Sequence, residues 1–276
     1  MEHKPQRNMI SYRDFLTALR SLEIERTQPV IVHTSLSAFG EVLGGAQTVL
    51  GALLSLYDTV VMPTFTYATM ITPEAGPADN AIEYGKGRDA NRMAAIFRPD
   101  MPVDRLMGVT ADALQRHPHA TRSLHPILSF AGVNASVALE SQTYSEPLAP
   151  IGVMANSQGW ALLLGVNHTV NTSIHYGERL AGRKQFVRWA LTQHGARECP
   201  RFPGCSEGFQ AIAPHLEGVV RAVMIGLARV QAIPLRELVK TVRDTILADP
   251  LALLCDKEYC ERCNTVREEI RKKTTS

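Results

Sequence analysis

The stretch from Gly165 to Glu178, GVNHTVNTSIHYGE, concentrates groups that move protons and bind polar ligands. The apolar run Trp160-Ala-Leu-Leu-Leu-Gly165 precedes it and is short enough for a buried strand. Asn167, His168, Asn171, Thr172, Ser173 and His175 follow at once. In α/β proteins, active-site groups often lie just beyond the carboxyl ends of strands. A helix starting near Asn171 or Thr172 puts His175 in its first turns, with Glu178 further along the same face. A His–Glu pair of this kind forms an acid–base unit, in which the carboxylate fixes the imidazole tautomer and stabilises the imidazolium. The same spacing also suits a surface ion pair, or a core histidine satisfied by a neighbour.

Two upstream stretches add ligand-binding potential. In His33–Gln47, HTSLSAFGEVLGGAQ, the hydroxyls of Ser35 and Ser37 flank Leu36 directly after a strand, and Gly44 and Gly45 open a helix. Glycines admit a ligand close to the backbone, and a helix N-terminus suits phosphate, so this loop fits the pyrophosphate or pantetheine arm of a coenzyme. Turn chemistry with helix capping explains the same residues. The glycine spacings of a Walker loop or a dinucleotide fingerprint are missing. In TRSLHPILSFAGVNA, Pro126 disfavours helix at His125, whose side chain then orients a ligand or bonds another loop. Arg122 nearby is a candidate phosphate partner.

The elements that position these groups follow from periodicity. Residues 11–24 read as a helix capped by Ser11, and Pro29–His33 as a buried strand. A helix from near Gly45 and a strand over Thr59–Met62 complete a strand–helix–strand unit, the mark of an α/β fold. Residues 67–105, rich in Pro, Gly, Asp and Asn, read as a long loop excursion. Further helices are expected over Val109–Arg116, after Asn171, within 207–231 and over Arg236–Ala248, with a strand over Phe186–Leu191 and a frayed end after Arg271. The expectation is a single compact α/β domain over residues 1–276, with a Cys-containing segment at about 249–270.

The 276 residues are 45% hydrophobic and 20% charged, with a formal net charge of +2. That balance is globular and gives no basis for nucleic-acid binding. No apolar run is long enough for a membrane span, and MEHKPQRNMISYRDF has no signal-peptide core, so a cytoplasmic protein is expected. The five cysteines, Cys199, Cys205, Cys255, Cys260 and Cys263, are an odd number and argue against a purely disulfide framework. Cys260-x2-Cys263 has zinc-ligand spacing, with Cys255 and either Cys199 or Cys205 completing a set. A second Cys-x2-Cys is absent, so zinc, a disulfide and free thiols all stay open.

Taken in order, TSLSAFGEVLGGAQ, MPTFTY, HPILSFAG and LLLGVNHTVNTSIHYGE resemble segments of the aminoglycoside 3-N-acetyltransferase, or antibiotic N-acetyltransferase, family. The resemblance runs from about residue 10 to about residue 265. It implies that family's own α/β fold, a central mixed sheet flanked by helices, distinct from the common small acetyltransferase fold. It implies acetyl-CoA as cosubstrate, a cationic amino sugar or other amine as acceptor, and a monomer or homodimer that needs no metal for its chemistry. Carried over by residue, it makes His175 the general base, with Glu178 or Glu207 as its supporting carboxylate. Ser35, Leu36, Ser37, Gly44, Gly45, Thr64, Arg122, Ser129 and Phe130 become coenzyme-binding positions, and Thr66, Tyr67, His125, His168 and Asn171 acceptor-binding ones. Glu74, Asp79, Glu83 and Asp89 in the excursion are candidates to face a polycation. Gly177 departs from the family's usual alanine, which suggests a short or bent helix.

The implied chemistry is direct transfer. An alkylammonium must lose a proton before its nitrogen attacks the thioester, and imidazole suits that task near neutrality. Charge then develops on the carbonyl oxygen and needs hydrogen-bond donors as the thiolate leaves. No acyl-enzyme is required. Two alternatives stand beside it: an acyltransferase of the same fold with another amine acceptor, and a coenzyme-binding protein without turnover.

Overall fold

The computed structural model describes residues 9–274. Residues 1–8, part of the stretch read for a signal peptide, lie outside the described residues. Ser11 caps α1 (Tyr12–Arg20): its hydroxyl accepts from the Asp14 amide while the Asp14 carboxylate accepts from the Ser11 amide. That reciprocal pair satisfies donors that a helix start otherwise leaves open. β1 (Val30–Thr34), α2 (Gly45–Leu56) and β2 (Val60–Pro63) follow as the sequence suggests. The excursion carries short elements: a strand, β3 (Met70–Ile71), one α-helix, α3 (Arg88–Arg92), and the 3-10 segments Tyr67–Thr69 and, at its end, Arg105–Met107. Next come α4 (Gly108–Gln115), β4 (Ala120–Arg122), β5 (Phe130–Val133), α5 (Ser136–Glu140), α6 (Ala149–Asn156) and β6 (Trp160–Leu164). After β6 lie α7 (Ser173–Leu180), β7 (Phe186–Thr192) and β8 (Gly195–Phe202). The hairpin β9 (Arg221–Ile225) and β10 (Ala228–Pro234) leads into α8 (Leu235–Ala248), and α9 (Glu261–Thr274) ends the described chain.

The main sheet is mixed, in the order β4-β5-β2-β1-β6-β10-β9. β1 runs parallel to both β2 and β6, while the flanking pairings are antiparallel. Alternate residues of the central strands feed two cores. Val30, Val32, Leu162, Leu164 and Val230 pack with Phe15, Leu19, Val49 and Leu53 of α1 and α2. Ile31, Ala161, Leu163 and Ile233 pack on the other face with Ile151, Ile174, Leu238 and Val242 of α6, α7 and α8. Strands covered on both faces need no polar side, which is why VIV and WALLL read as continuous apolar runs. A second sheet, β3-β7-β8, is antiparallel.

Two expectations fail. Residues 207–231 hold no α-helix: Phe209–Leu216 is a 3-10 segment, and the apolar stretch beyond it is the β9–β10 hairpin. Ile225 pairs directly with Ala228, so Gly226 and Leu227 form a two-residue turn, and Gly226 has a φ of 55° suited to its first position. The end after Arg271 stays helical to Thr274. No helix among the described residues is long and apolar enough to cross a membrane.

Candidate active site

β6 delivers the chain to the carboxyl edge of the sheet, and the loop after it is shaped by Asn167. The Asn167 Oδ1 accepts from the Thr169 amide at 3.0 Å, capping the 3-10 turn His168–Val170. α7 then buries Ile174, His175, Gly177 and Glu178 along one face. The helix is not broken at Gly177. Instead, a Cβ there would lie 2.6 Å from Val242 Cγ1 and 3.1 Å from the Val239 carbonyl, so glycine is what lets α8 approach.

His175 Nδ1 lies 2.7 Å from Glu178 Oε2. Glu178 is itself only 2% exposed, and its Oε1 accepts from Arg183 Nη1 at 3.0 Å. Arg183 Nη2 in turn donates to the Pro250 and Ala252 carbonyls, both at 2.8 Å. Phe209 meets the imidazole edge-on, with ring centroids 4.6 Å apart. A carboxylate can only accept from Nδ1, so the proton sits there and the Nε2 lone pair is free. Glu207 plays no part in this chain. Its carboxylate accepts from Lys257 Nζ at 3.0 Å on the exposed surface, which removes it as the partner of His175.

His175 lines a cleft of about 1490 Å³ at the carboxyl ends of the parallel strands. That exceeds the ~300–1000 Å³ of ordinary ligand pockets and leaves room for two substrates. Ser35, Leu36 and Ser37 line it after β1, together with Tyr67 and Asn171. Burial raises the Tyr67 hydroxyl to about 12. The excursion also supplies Met70, Thr72, Asn91 and Arg105 to the lining, so it helps to build the cleft rather than hanging free.

Other candidates stand behind the wall. Arg122 is a staple: Nε donates to Ser129 Oγ at 3.0 Å, Nη1 to the Met101 carbonyl at 2.7 Å, and Nη2 to the Thr64 carbonyl at 2.6 Å. Its donors point at protein oxygens, which corrects the phosphate-partner assignment, and burial lowers its pKa to about 10. Thr64 and Ser129 are fully buried partners in that network, and Thr66 Oγ1 donates to the Pro126 carbonyl at 2.7 Å. Phe130 is core. His125 Nδ1 accepts from the Ile127 and Leu128 amides at 3.2 and 2.9 Å, so the ring closes its own turn, and burial lowers its pKa to about 4. None of these six lines the cleft. Neither do Gly44 and Gly45, although Gly40 and Val42 of the same loop do. His168 is turned into a second cavity beside Gln210 and Arg229, and burial, then Arg229, lower its pKa to about 4.

The sequence reading missed several cleft residues. His33, at the end of β1, lines it with Nε2 unpartnered, and burial lowers its pKa to about 3. Thr34 Oγ1 is likewise buried and unpartnered in the wall. Arg105, Arg188 and Arg262 also line the cleft, and no Asp or Glu does among the described residues. Glu74, Asp79, Glu83 and Asp89 pair instead with Arg88, Lys272, Lys86 and Arg92. Arg183, which holds Glu178, carried no local signal either, because its other partners are backbone carbonyls far along the chain.

The family model described as aminoglycoside 3-N-acetyltransferase matches residues 31–246. Aminoglycoside N(3)-acetyltransferase IX of Micromonospora chalcea is 32% identical over 184 residues, spanning 62% of this chain and 63% of that relative. The crystal structure of aminoglycoside acetyltransferase AAC(3)-IVa, as apoenzyme, superposes with a TM-score of 0.76 at 23% identity, covering 96% of this chain and 99% of the other. A structure of AAC-IIIb, binary with CoASH, gives 0.68 at 19% identity, covering 87% and 97%.

Proposed function

Because the chain belongs to the aminoglycoside 3-N-acetyltransferase family, we propose that it transfers the acetyl group of acetyl-CoA to a substrate amine in one direct step, with His175 as general base. The observation that carries this is the chain Arg183–Glu178–His175, which fixes the imidazole and leaves Nε2 free at a cleft with room for coenzyme and acceptor. The coenzyme in the AAC-IIIb structure supports acetyl-CoA as donor. Ser35, Leu36 and Ser37 line the cleft, and in this reading they contact the coenzyme.

His175 Nε2 takes a proton from the bound ammonium, and the freed amine attacks the thioester carbonyl. The imidazolium that forms is stabilised by Glu178 without proton transfer to the carboxylate, as in other oriented-histidine sites. Hydroxyls of the cleft wall such as Thr34 and Thr172 are of the donor type that the developing oxyanion needs. Collapse breaks the C–S bond and expels the coenzyme thiolate, which takes up the second proton lost by the acylated nitrogen; amide and free thiol leave, and the His175 imidazolium returns its proton to solvent.

The relatives point to the 3-amino group of an aminoglycoside as acceptor. A specific observation favours a second acceptor class: among the described residues, three arginines and no carboxylate line the cleft. A polycation meets repulsion there, whereas an amine that also carries a carboxylate or phosphate meets complementary charge. Thiol release from acetyl-CoA with gentamicin-like and kanamycin-like acceptors, against anionic and neutral amines, separates them. Turnover confined to aminoglycosides supports the first. Turnover confined to other amines supports the second. Coenzyme binding without turnover on any amine overturns both and leaves a non-catalytic coenzyme-binding protein.

A further inference from the structure

We propose that Cys205, Cys255, Cys260 and Cys263 form a closed four-thiolate site for a tetrahedral divalent ion of the zinc type, and that the ion fastens the wall behind His175. The four Sγ atoms all lie within 4.8 Å of one another, and Cys255 Sγ is 3.5 Å from Cys263 Sγ. A Zn–S bond of ~2.3 Å sets the edge of a tetrahedral S4 set at about 3.8 Å, so a contraction of about 1 Å or less brings every thiol into contact. All four belong to one cluster, and each is a free thiol.

Local structure suits ligation. Cys260 and Cys263 form the Cys-x2-Cys turn at the start of α9, with the Cys260 amide donating to the Lys257 carbonyl at 3.0 Å. The Glu207 amide approaches Cys205 Sγ at 3.5 Å, an outer-shell contact that steadies a thiolate. The fifth cysteine, Cys199, lies in β8 with its thiol towards the Arg197 carbonyl, and it is not in the cluster. Four soft thiolates select zinc-like ions over magnesium or calcium and leave no open position, so the ion is structural. Binding releases the thiol protons as the thiolates form.

The site joins two segments that line the cleft to a third that holds Arg183. Cys205 sits between Gly204 and Ser206, both cleft-lining. Arg262, beside Cys263, lines the cleft and donates to the Gly204 carbonyl at 3.0 Å. The segment bearing Cys255 follows the Pro250 and Ala252 carbonyls that hold Arg183, and through it Glu178. Phe209, a turn beyond Cys205, touches the His175 ring.

The test is elemental analysis of the full chain purified without chelator, with about one zinc per chain expected. Cys199→Ser retains the ion. Cys260→Ser, which removes the least buried thiol of the set, weakens retention by at least about 10-fold, the loss expected even for outer-shell changes. Should that variant fail to fold, cobalt(II) exchange into the parent chain gives the same information through the charge-transfer and ligand-field bands of tetrahedral cobalt–thiolate. A chain that takes up neither zinc nor cobalt, whether its thiols titrate freely or its mass shows two disulfides, overturns the proposal. That result would leave the acyl-transfer proposal untouched.

Discussion

Replacing Glu178 by Gln isolates the part of the site that sequence alone left undecided. The carboxylate accepts from His175 Nδ1 at 2.7 Å through one oxygen and from Arg183 at 3.0 Å through the other. An amide has one acceptor and one donor end. Arg183 has no acceptor, and its Nη2 is anchored on two backbone carbonyls, so it captures the amide oxygen. The amide NH2 then faces Nδ1, which must accept, and the ring proton moves to Nε2. The lone pair that takes the substrate proton is lost while size and burial stay the same. General-base help is worth ~10²–10⁴-fold, or about 2.7–5.4 kcal/mol of barrier at ~1.36 kcal/mol per decade. Turnover in a thiol-release assay should fall by that factor, with KM for acetyl-CoA nearly unchanged because Glu178 does not line the cleft. A Glu178→Gln chain that melts like the parent and turns over within about threefold of it would refute the tautomer argument, since the smallest general-base contribution is ~10²-fold.

Three further outcomes follow from the same structure. Gly177→Ala should destabilise by about 1–3 kcal/mol through overpacking on Val242, despite alanine's helix advantage of ~1 kcal/mol, and an unchanged denaturation midpoint would show that α7 and α8 part freely. Arg122→Ala should lower the melting temperature by stranding the Thr64 and Met101 carbonyls, at ~1.5–3 kcal/mol per charged hydrogen bond, while acetyl-CoA affinity holds; lost affinity with normal stability would restore its coenzyme role. His33, His125 and His168 have folded pKa values lowered to about 3, 4 and 4, below the ordinary ~6.5. Their contribution to stability is complete above the unfolded value and is lost as pH falls from there through the folded values, by up to ~1.4 kcal/mol per pH unit for each group. Melting temperature should therefore fall between pH 6.5 and pH 4, less steeply in His125→Gln, and identical slopes would sink the assignment.

Much of the fold was legible because burial on two faces and helical periodicity leave direct marks. VIV, VVM and WALLL became β1, β2 and β6, and the spacing of His175 and Glu178 became a contact. The β9–β10 hairpin was misread because its apolar residues are dense enough to mask alternation. Buried Ala228, Val230 and Ala232 alternate with Arg229 and Gln231, a period of two rather than 3.6. The site was legible at its chemical centre and poorly legible around it. Arg122, Thr64, Thr66, Ser129 and His125 are polar and follow strands or turns, yet each is consumed by backbone partners that a local pattern does not reveal. Arg105, Arg188 and Arg262 reach the cleft from segments with no shared motif, so only the fold brings them together. The choice of Cys205 over Cys199 beside the late cysteines is likewise a matter of tertiary placement.

The central claim is that His175 is the base of an amine acetylation. Its most direct measurement is thiol release by His175→Ala, with acetyl-CoA binding followed by calorimetry on the same sample and an amine accepted by the parent chain. A fall in turnover of ~10²–10⁴-fold at unchanged coenzyme affinity is the expected result. Turnover close to that of the parent would contradict it and remove His175 from the chemistry.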